Sequence, residues 1–286
     1  MLNASLILEG GGMRGIYTAG VLDYFMEQEL LFSSVYGVSA GSCHAVSYLS
    51  NQKGRAYRIS TEYLNDKRYC SIKSLITTGD MFGVDMCYNL IPNQLDPYDY
   101  DAFLRYKGNF YAVVTNCRNG CAEYLPLKDM RNDITAIRAS SSLPMASRMV
   151  KYHGQKYLDG GIADSIPIEK SIADGNKLNV VVLTREKGYR KKHTSGLMFW
   201  PRYLIYPNLV RAIDTRHLRY NHSLDVIEKL EAEGKIIVIR PSVEPNVGRT
   251  EKNLEKLKAL YDLGYNDAKA KYEEILRYTA ENNNDE

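Results

Sequence analysis

Residues 5–49 carry two strand–turn–helix units in succession, and that arrangement restricts the chain to an α/β fold. Ser5-Leu-Ile-Leu-Glu9 is an apolar strand segment, followed by the turn Gly10-Gly-Gly-Met-Arg-Gly15 and an apolar helical pattern from Ile16 to Met26. Leu31 to Tyr36 leads into Gly37-Val38-Ser39-Ala40-Gly41, after which Ser42 to Leu49 continues as a helix. Strands linked through helices pair in parallel, and the helices then cover the faces of the sheet. Lys177–Leu183 and Lys235–Arg240 read as two further buried parallel strands, separated by a helix around Leu209 to Glu233. The expected fold is a three-layer α/β/α sandwich with a mostly parallel central sheet and its site at the carboxyl ends of the strands.

The chain has 286 residues, of which 44% are hydrophobic, enough for one large core. A single domain over 1–286 is expected, since no linker or internal repeat divides it. Leu254, Leu257, Leu260, Leu263 and Ile275 predict a pair of C-terminal helices interrupted at Gly264, and residues 281–286 predict a disordered polar tail.

Small residues on both sides of Ser39 suit a sharp turn that presents its hydroxyl as a nucleophile. The glycines of the first turn let the backbone approach a ligand closely, and the first amides of the helix behind it point outward unpaired. Such a turn suits a negative charge, of which two kinds fit. Gly10-x-Gly12-x-x-Gly15 satisfies a dinucleotide fingerprint, which makes a nicotinamide or flavin oxidoreductase one alternative. That fingerprint also calls for an acid about 20 positions further on. Here that neighbourhood is Tyr36-Gly37-Val38-Ser39, so a tetrahedral oxyanion fits better than a pyrophosphate.

None of the five histidines (His44, His153, His193, His217, His222) stands in a small-residue loop suited to a catalytic base. Asp159 does, at the end of a short strand and before Gly160-Gly161, and it is preferred over Asp164. Gly10 to Gly15, Gly37 to Gly41 and Asp159-Gly160-Gly161, in that order, resemble the three signature blocks of the patatin-like phospholipases. Arg138-Ala-Ser-Ser-Ser-Leu-Pro144 is similar to the segment preceding that family's aspartate. The resemblance runs from Leu6 to about Gly175. It implies Ser39 as nucleophile, Asp159 as the aspartate of a Ser-Asp dyad, and Gly10, Gly11, Gly12, Met13, Arg14 and Gly15 as the oxyanion loop. Gly37 and Gly41 then frame the nucleophile elbow, and the function implied is a lipase or phospholipase A-type esterase that needs no cofactor or metal. Arg14 has two readings: toward a lipid phosphate, or paired with Glu9 or Asp23. A non-catalytic acyl-binding module of the same fold is the other alternative.

Five scattered cysteines indicate reduced thiols, and Met1-Leu-Asn-Ala-Ser carries no basic leader, so a cytoplasmic enzyme is expected. The net charge of +3 says little, but residues 185–221 interleave cations with aromatics: Arg190, Lys191, Lys192 and Arg202 stand near Trp200, Tyr203 and Tyr206. That composition suits anionic lipid headgroups as well as nucleic acid. With ester chemistry elsewhere, the expected partner is a lipid or acyl ester and an anionic membrane touched peripherally, and no nucleic acid.

Overall fold

Alternation along the first strand sets the layers. In the computed structural model, which describes residues 1–283, β1 (Leu2–Leu8) turns Leu6 and Leu8 into one apolar cluster and Ile7 into another on the opposite face. The remaining strands are β2 (Phe32–Val38), β3 (Asn109–Asn116), β4 (Ala122–Leu127), β5 (Val150–Tyr152), β6 (Gln155–Asp159), β7 (Asn179–Val182) and β8 (Ile237–Ile239). They form one sheet in the order β5-β6-β3-β2-β1-β7-β8, with β4 also paired to β3. The pairs among β3, β2, β1, β7 and β8 are parallel, whereas β4, β5 and β6 run antiparallel to their neighbours. The mixed, mostly parallel sheet expected from the sequence is therefore present, flanked by helices.

The helices are α1 (Ile16–Glu27), α2 (Ala40–Leu49), α3 (Arg55–Glu62), α4 (Ile72–Thr78), α5 (Tyr100–Arg105), α6 (Met130–Ser140), α7 (Ile168–Ala173), α8 (Pro207–Asp214), α9 (Arg216–Ala232) and α10 (Leu254–Asn283). Apolar residues of α1, α2, α6 and α10 share the larger core, and Ile168, Tyr220, Leu224 and Ile227 from α7 and α9 close the other face. Between α2 and β3 the chain makes a long helical excursion that includes a π-helical stretch at Met86–Leu95, and this excursion roofs part of the site.

Three sequence expectations fail here. The C-terminal region is one helix, not two, because Gly264 is a contact point and not a break. A Cβ on Gly264 would lie 2.1 Å from the carbonyl oxygen of Tyr17, and one on Gly20 would lie 2.1 Å from that of Tyr261. Each helix thus offers a glycine to the other's backbone, which lets α1 and α10 cross closely. The helix also continues through Glu281 to Asn283, where a disordered tail was expected; residues 284–286 lie outside the described residues. The single helix expected around Leu209 to Glu233 is two, α8 and α9.

Candidate active site

Ser39 stands between the end of β2 and the start of α2 with φ 55° and ψ −122°, a left-handed conformation that costs a residue bearing a Cβ about 1–3 kcal/mol. Two serines pin it. Its N–H donates to Ser140 Oγ at 3.0 Å, Ser42 Oγ donates to the Ser39 carbonyl at 2.7 Å, and Ser140 Oγ donates in turn to Val113 O at 2.7 Å. The glycines around the elbow give clearance: a Cβ on Gly37 would meet Ser42 Cα at 2.5 Å, and one on Gly41 would meet Leu8 O at 2.4 Å. Ser42, at the start of the helix, and Ser140, within the 138–144 block, together lock the elbow.

Strand β3 brings the acid to the serine. Its residues up to Val113 pair with β2, and Val38 lies opposite Val113. At Val114 the same edge passes to β6, where Asp159 is the partner, because β4 occupies the other edge throughout. Asp159 therefore follows directly where β2 gives way to the elbow. Its backbone is held by Ser142 O, which accepts from its N–H at 2.8 Å, and by Thr115 Oγ1, which donates to its carbonyl at 2.8 Å. Oδ1 accepts from Gly161 N–H at 2.8 Å, whereas Oδ2 is buried without a partner. Burial raises the carboxyl's pKa above the usual range, and the Ser39 hydroxyl, Arg216, the Gly161 amide and Arg249 pull against it. The serine is near enough to act on the carboxylate although no hydrogen bond of good geometry joins its hydroxyl to Oδ2. Such bonds often tighten only once substrate is present.

The rival carboxylate is occupied elsewhere: Asp164 accepts from Tyr124 OH at 2.7 Å and from Ile166 N at 3.1 Å. Of the five histidines, only His44 lines the cavities at Ser39. Burial lowers its pKa to about 4. Cys43, on the same wall, is pushed up to about 11 by burial and is a poor nucleophile.

The glycine turn lies against the serine, since a Cβ on Gly10 would sit 2.7 Å from that of Ser39. Among the described residues, the Gly11 and Gly12 amides have no acceptor, as an oxyanion site requires. Met13 departs from expectation, because its N–H already donates to Arg249 O at 3.1 Å. Gly15 faces Ala40 and His44 and serves packing. Arg14 is buried, and neither carboxylate proposed as its partner is available. Glu9 accepts from Thr184 N, Thr184 Oγ1 and Tyr220 OH, while Asp23 accepts from Gly54 N and Tyr261 OH.

Two cavities meet at Ser39 and Gly12. One, of about 200 Å³, is largely apolar, walled by Met13, Ile16, Ile59, Phe82, Tyr88 and Ile137 among others. Its lining comes from the glycine turn, α1, α2, α6 and the helical excursion, and in the excursion the sequence offers no functional signal. The other, of about 30 Å³, is polar and includes Asp159, Arg14, Arg216 and Arg249.

The basic segment is not one uniform surface. Arg190 pairs with Glu228 and Asp225 at 2.9 Å, and Lys191 lines the polar cavity, so neither is a free surface cation. Beside exposed Lys192 and Arg202 the segment also exposes apolar side chains: Leu197, Met198, Trp200, Leu204 and Ile205. No helix among the described residues is long and apolar enough to cross a membrane.

A glycine turn lies against a serine at a tight strand-to-helix turn, with a buried carboxylate on the neighbouring strand, in a mostly parallel α/β fold. Residues 6–172 match the patatin-like phospholipase family, and the chain belongs to that family. Residues 206–280 match a second family, a domain of unknown function, DUF6363. The chain is 30% identical to the uncharacterized protein YjjU of Escherichia coli over 83% of its own length and 68% of that protein's. It is 24% identical to the probable lipid hydrolase 463L of Invertebrate iridescent virus 6 over 61% of this chain and 65% of the viral protein. It is 22% identical to lysophospholipase NTE1 of Candida albicans over 84% of this chain but only 18% of that much longer protein.

Proposed function

We propose that the protein is a serine acyl hydrolase of lipid esters that works through a Ser39–Asp159 dyad. The observation that carries this reading is the unpartnered, buried Oδ2 of Asp159, one register step along β3 from the strained elbow at Ser39. A carboxylate with a raised pKa is a better base than one in water. Ser39 Oγ attacks the ester carbonyl as its proton passes to Asp159, and the amides of Gly11 and Gly12 receive the oxyanion. The tetrahedral intermediate expels the alcohol, which takes the proton from Asp159. Water then attacks the acyl-enzyme, gives its proton to Asp159, and the fatty acid leaves as Ser39 is restored.

The apolar cavity takes the acyl chain, and lipid is reached from a membrane surface that the protein touches peripherally. Exposed Leu197, Met198, Leu204 and Ile205 favour that docking face, with Lys192 and Arg202 as its cations. The test of the chemistry is a fluorophosphonate probe together with an acyl-release assay on a lysophospholipid. Labelling at Ser39 and fatty acid release are expected. Folded protein in which no serine labels would instead be a non-catalytic acyl-binding module.

A further inference from the structure

Arg216, the first residue of α9, lines the same polar cavity as Asp159. Its Nε is buried without a partner, and among the described residues its side chain neither donates a hydrogen bond nor forms an ion pair. Enclosing a guanidinium with no acceptor is costly, so its placement calls for a cause. The acids in the cavity lining are Glu9 and Asp159, and Glu9 is saturated by Thr184 and Tyr220. A Cβ built on Gly161 would lie 2.9 Å from Arg216 Nη2 and 3.0 Å from Asp159 Oδ1, so the two groups flank one point. That spacing falls within the roughly 4–6 Å over which an opposite charge favours the ionised carboxyl.

Helix α9 is fastened here from two sides. Arg219 Nε donates to Ala163 O at 2.9 Å and its Nη2 to Ile162 O at 3.0 Å, carbonyls of the turn that follows Asp159. Tyr220 OH donates to Glu9 Oε1 at 2.7 Å, where β1 enters the glycine turn. Positions 216, 219 and 220 share one face of a helix. The contacts that hold α9 to the base's own turn therefore also set Arg216 beside the base. All three residues lie in the 206–280 region that matches the domain of unknown function, outside the segment that matches the hydrolase family.

A buried carboxyl is driven toward its neutral form, and a neutral Asp159 cannot take the proton of Ser39. The groups that face it come from every element around the site: Glu9 at the end of β1, Arg14 of the glycine turn, Ser39 of the elbow and Cys43 of α2. The segment after β7 adds Arg185, Tyr189 and Lys191, α9 adds Arg216 and Tyr220, and the segment before α10 adds Arg249. Arg185 and Lys191 rest on the rings of Tyr189 and Tyr220, at 4.4 and 4.2 Å from the ring centres. Burial raises the Asp159 carboxyl, and of the cations opposing that rise Arg216 pulls hardest, ahead of exposed Arg249.

We infer that Arg216 is a positioning residue that keeps Asp159 ionised before substrate arrives, so that the 206–280 region supplies the counter-charge the base requires. This inference rests on the acyl hydrolase reading above and adds a residue from outside the matched hydrolase segment.

The experiment follows, on the full chain, the pH dependence of kcat/KM for a soluble acyl ester and of fluorophosphonate labelling at Ser39. The acid limb of each reports the base of the free enzyme. Without the positive charge the carboxyl's pKa rises, and the base stays protonated to higher pH. Arg216→Gln is expected to move the acid limb upward by about one pH unit or more, with activity returning toward wild type on the alkaline side. Arg216→Lys, which keeps the charge, is expected to bring the limb back toward its wild-type position. A loss by the same factor at every pH in Arg216→Gln, or an equal shift in Arg216→Lys, overturns the inference, because the arginine then serves the fold. The unaltered protein provides a second measurement, 13C NMR of labelled aspartate with Asp159→Asn to assign the signal. An ionised Asp159 at pH 7 is expected, and a protonated one overturns the inference even if a variant fails to fold. Folded wild type in which Ser39 labels at no pH contradicts the hydrolase reading itself, while the NMR measurement still decides the ionisation of Asp159.

Discussion

Ser39 and Asp159 are adjacent because one edge of β3 is shared by two strands: β2 ends opposite Val113, and β6 ends with Asp159 opposite Val114. The two residues are 120 positions apart in sequence, yet their backbones are fixed by the same ladder. Gly160 extends this closeness, because a Cβ there would sit 2.2 Å from Val113 O.

That shared strand predicts that the pair fails as a unit. Ser39→Ala and Asp159→Asn are each expected to reduce acyl release to background, and the double variant to be no worse than either. Residual turnover above a few per cent in either single variant argues against the dyad.

Ser140 is predicted to matter almost as much for rate as for stability. Ser140→Ala strands the N–H of Ser39 and removes the donor to Val113 O, two buried groups whose loss costs on the order of 1–3 kcal/mol each. The elbow is then free to relax from its positive φ. Urea denaturation is expected to show the destabilisation, and kcat is expected to fall more than KM rises. A variant with lower stability but wild-type kcat at saturating substrate shows that the serine supports only the fold.

His44 gives the pH dependence a definite sign. Its imidazole is depressed by burial to about 4 in the folded protein, against the 6.5 ordinary for histidine. Between those values the unfolded chain binds the extra proton and the folded chain does not, so stability is lost as pH falls from 6.5 toward 4. His44→Gln is expected to flatten that part of the denaturation-midpoint profile. An NMR titration in which the His44 ring protonates near 6.5 contradicts the assignment.

How much of this was readable in the sequence depends on the range of the interaction. The two strand–turn–helix units, the elbow at Ser39 and the strand end at Asp159 were legible because each is a local pattern of apolar run and glycine. Met13 was misjudged because its amide is taken by Arg249 O, a partner 236 positions away. Gly264 read as a helix break because no local pattern shows that another helix's glycine, Gly20, faces the same crossing. Lys191 and Arg190 looked alike in a basic run, and only folding turns one into the recess and pairs the other with Glu228.

Gly264→Ala tests the crossing. The added methyl would meet Tyr17 O at 2.1 Å, and backbone on a packed helix cannot yield as a side-chain tip can. Although alanine is the better helix former by about 1 kcal/mol, overpacking of this kind costs typically 1–3 kcal/mol and dominates here. A lower urea midpoint is expected, and Gly20→Ala should behave similarly. A raised midpoint would show that α1 and α10 slide apart at little cost.

The docking face is the last expectation that can be tried directly. Leu197 is 76% exposed and Ile205 80%, a cost in water that insertion among lipid headgroups removes. The neighbouring wall is tied to this region, because Tyr203 OH accepts from Met145 N at 3.2 Å and Met81 N donates to Ala146 O at 2.8 Å. Exposed Met145, and α4 with exposed Ile72 and Ile76 just before Met81, thus belong to segments connected to the patch. Leu197→Ser with Ile205→Ser is expected to weaken sedimentation with anionic vesicles by 10-fold or more. It should also lower the ratio of vesicle-lipid to soluble-ester hydrolysis. Because the interaction is largely apolar, raising salt should change the wild type's binding only modestly; full release at high salt would instead assign the contact to Lys192 and Arg202. Unchanged sedimentation of the double variant would show the patch to be ordinary surface.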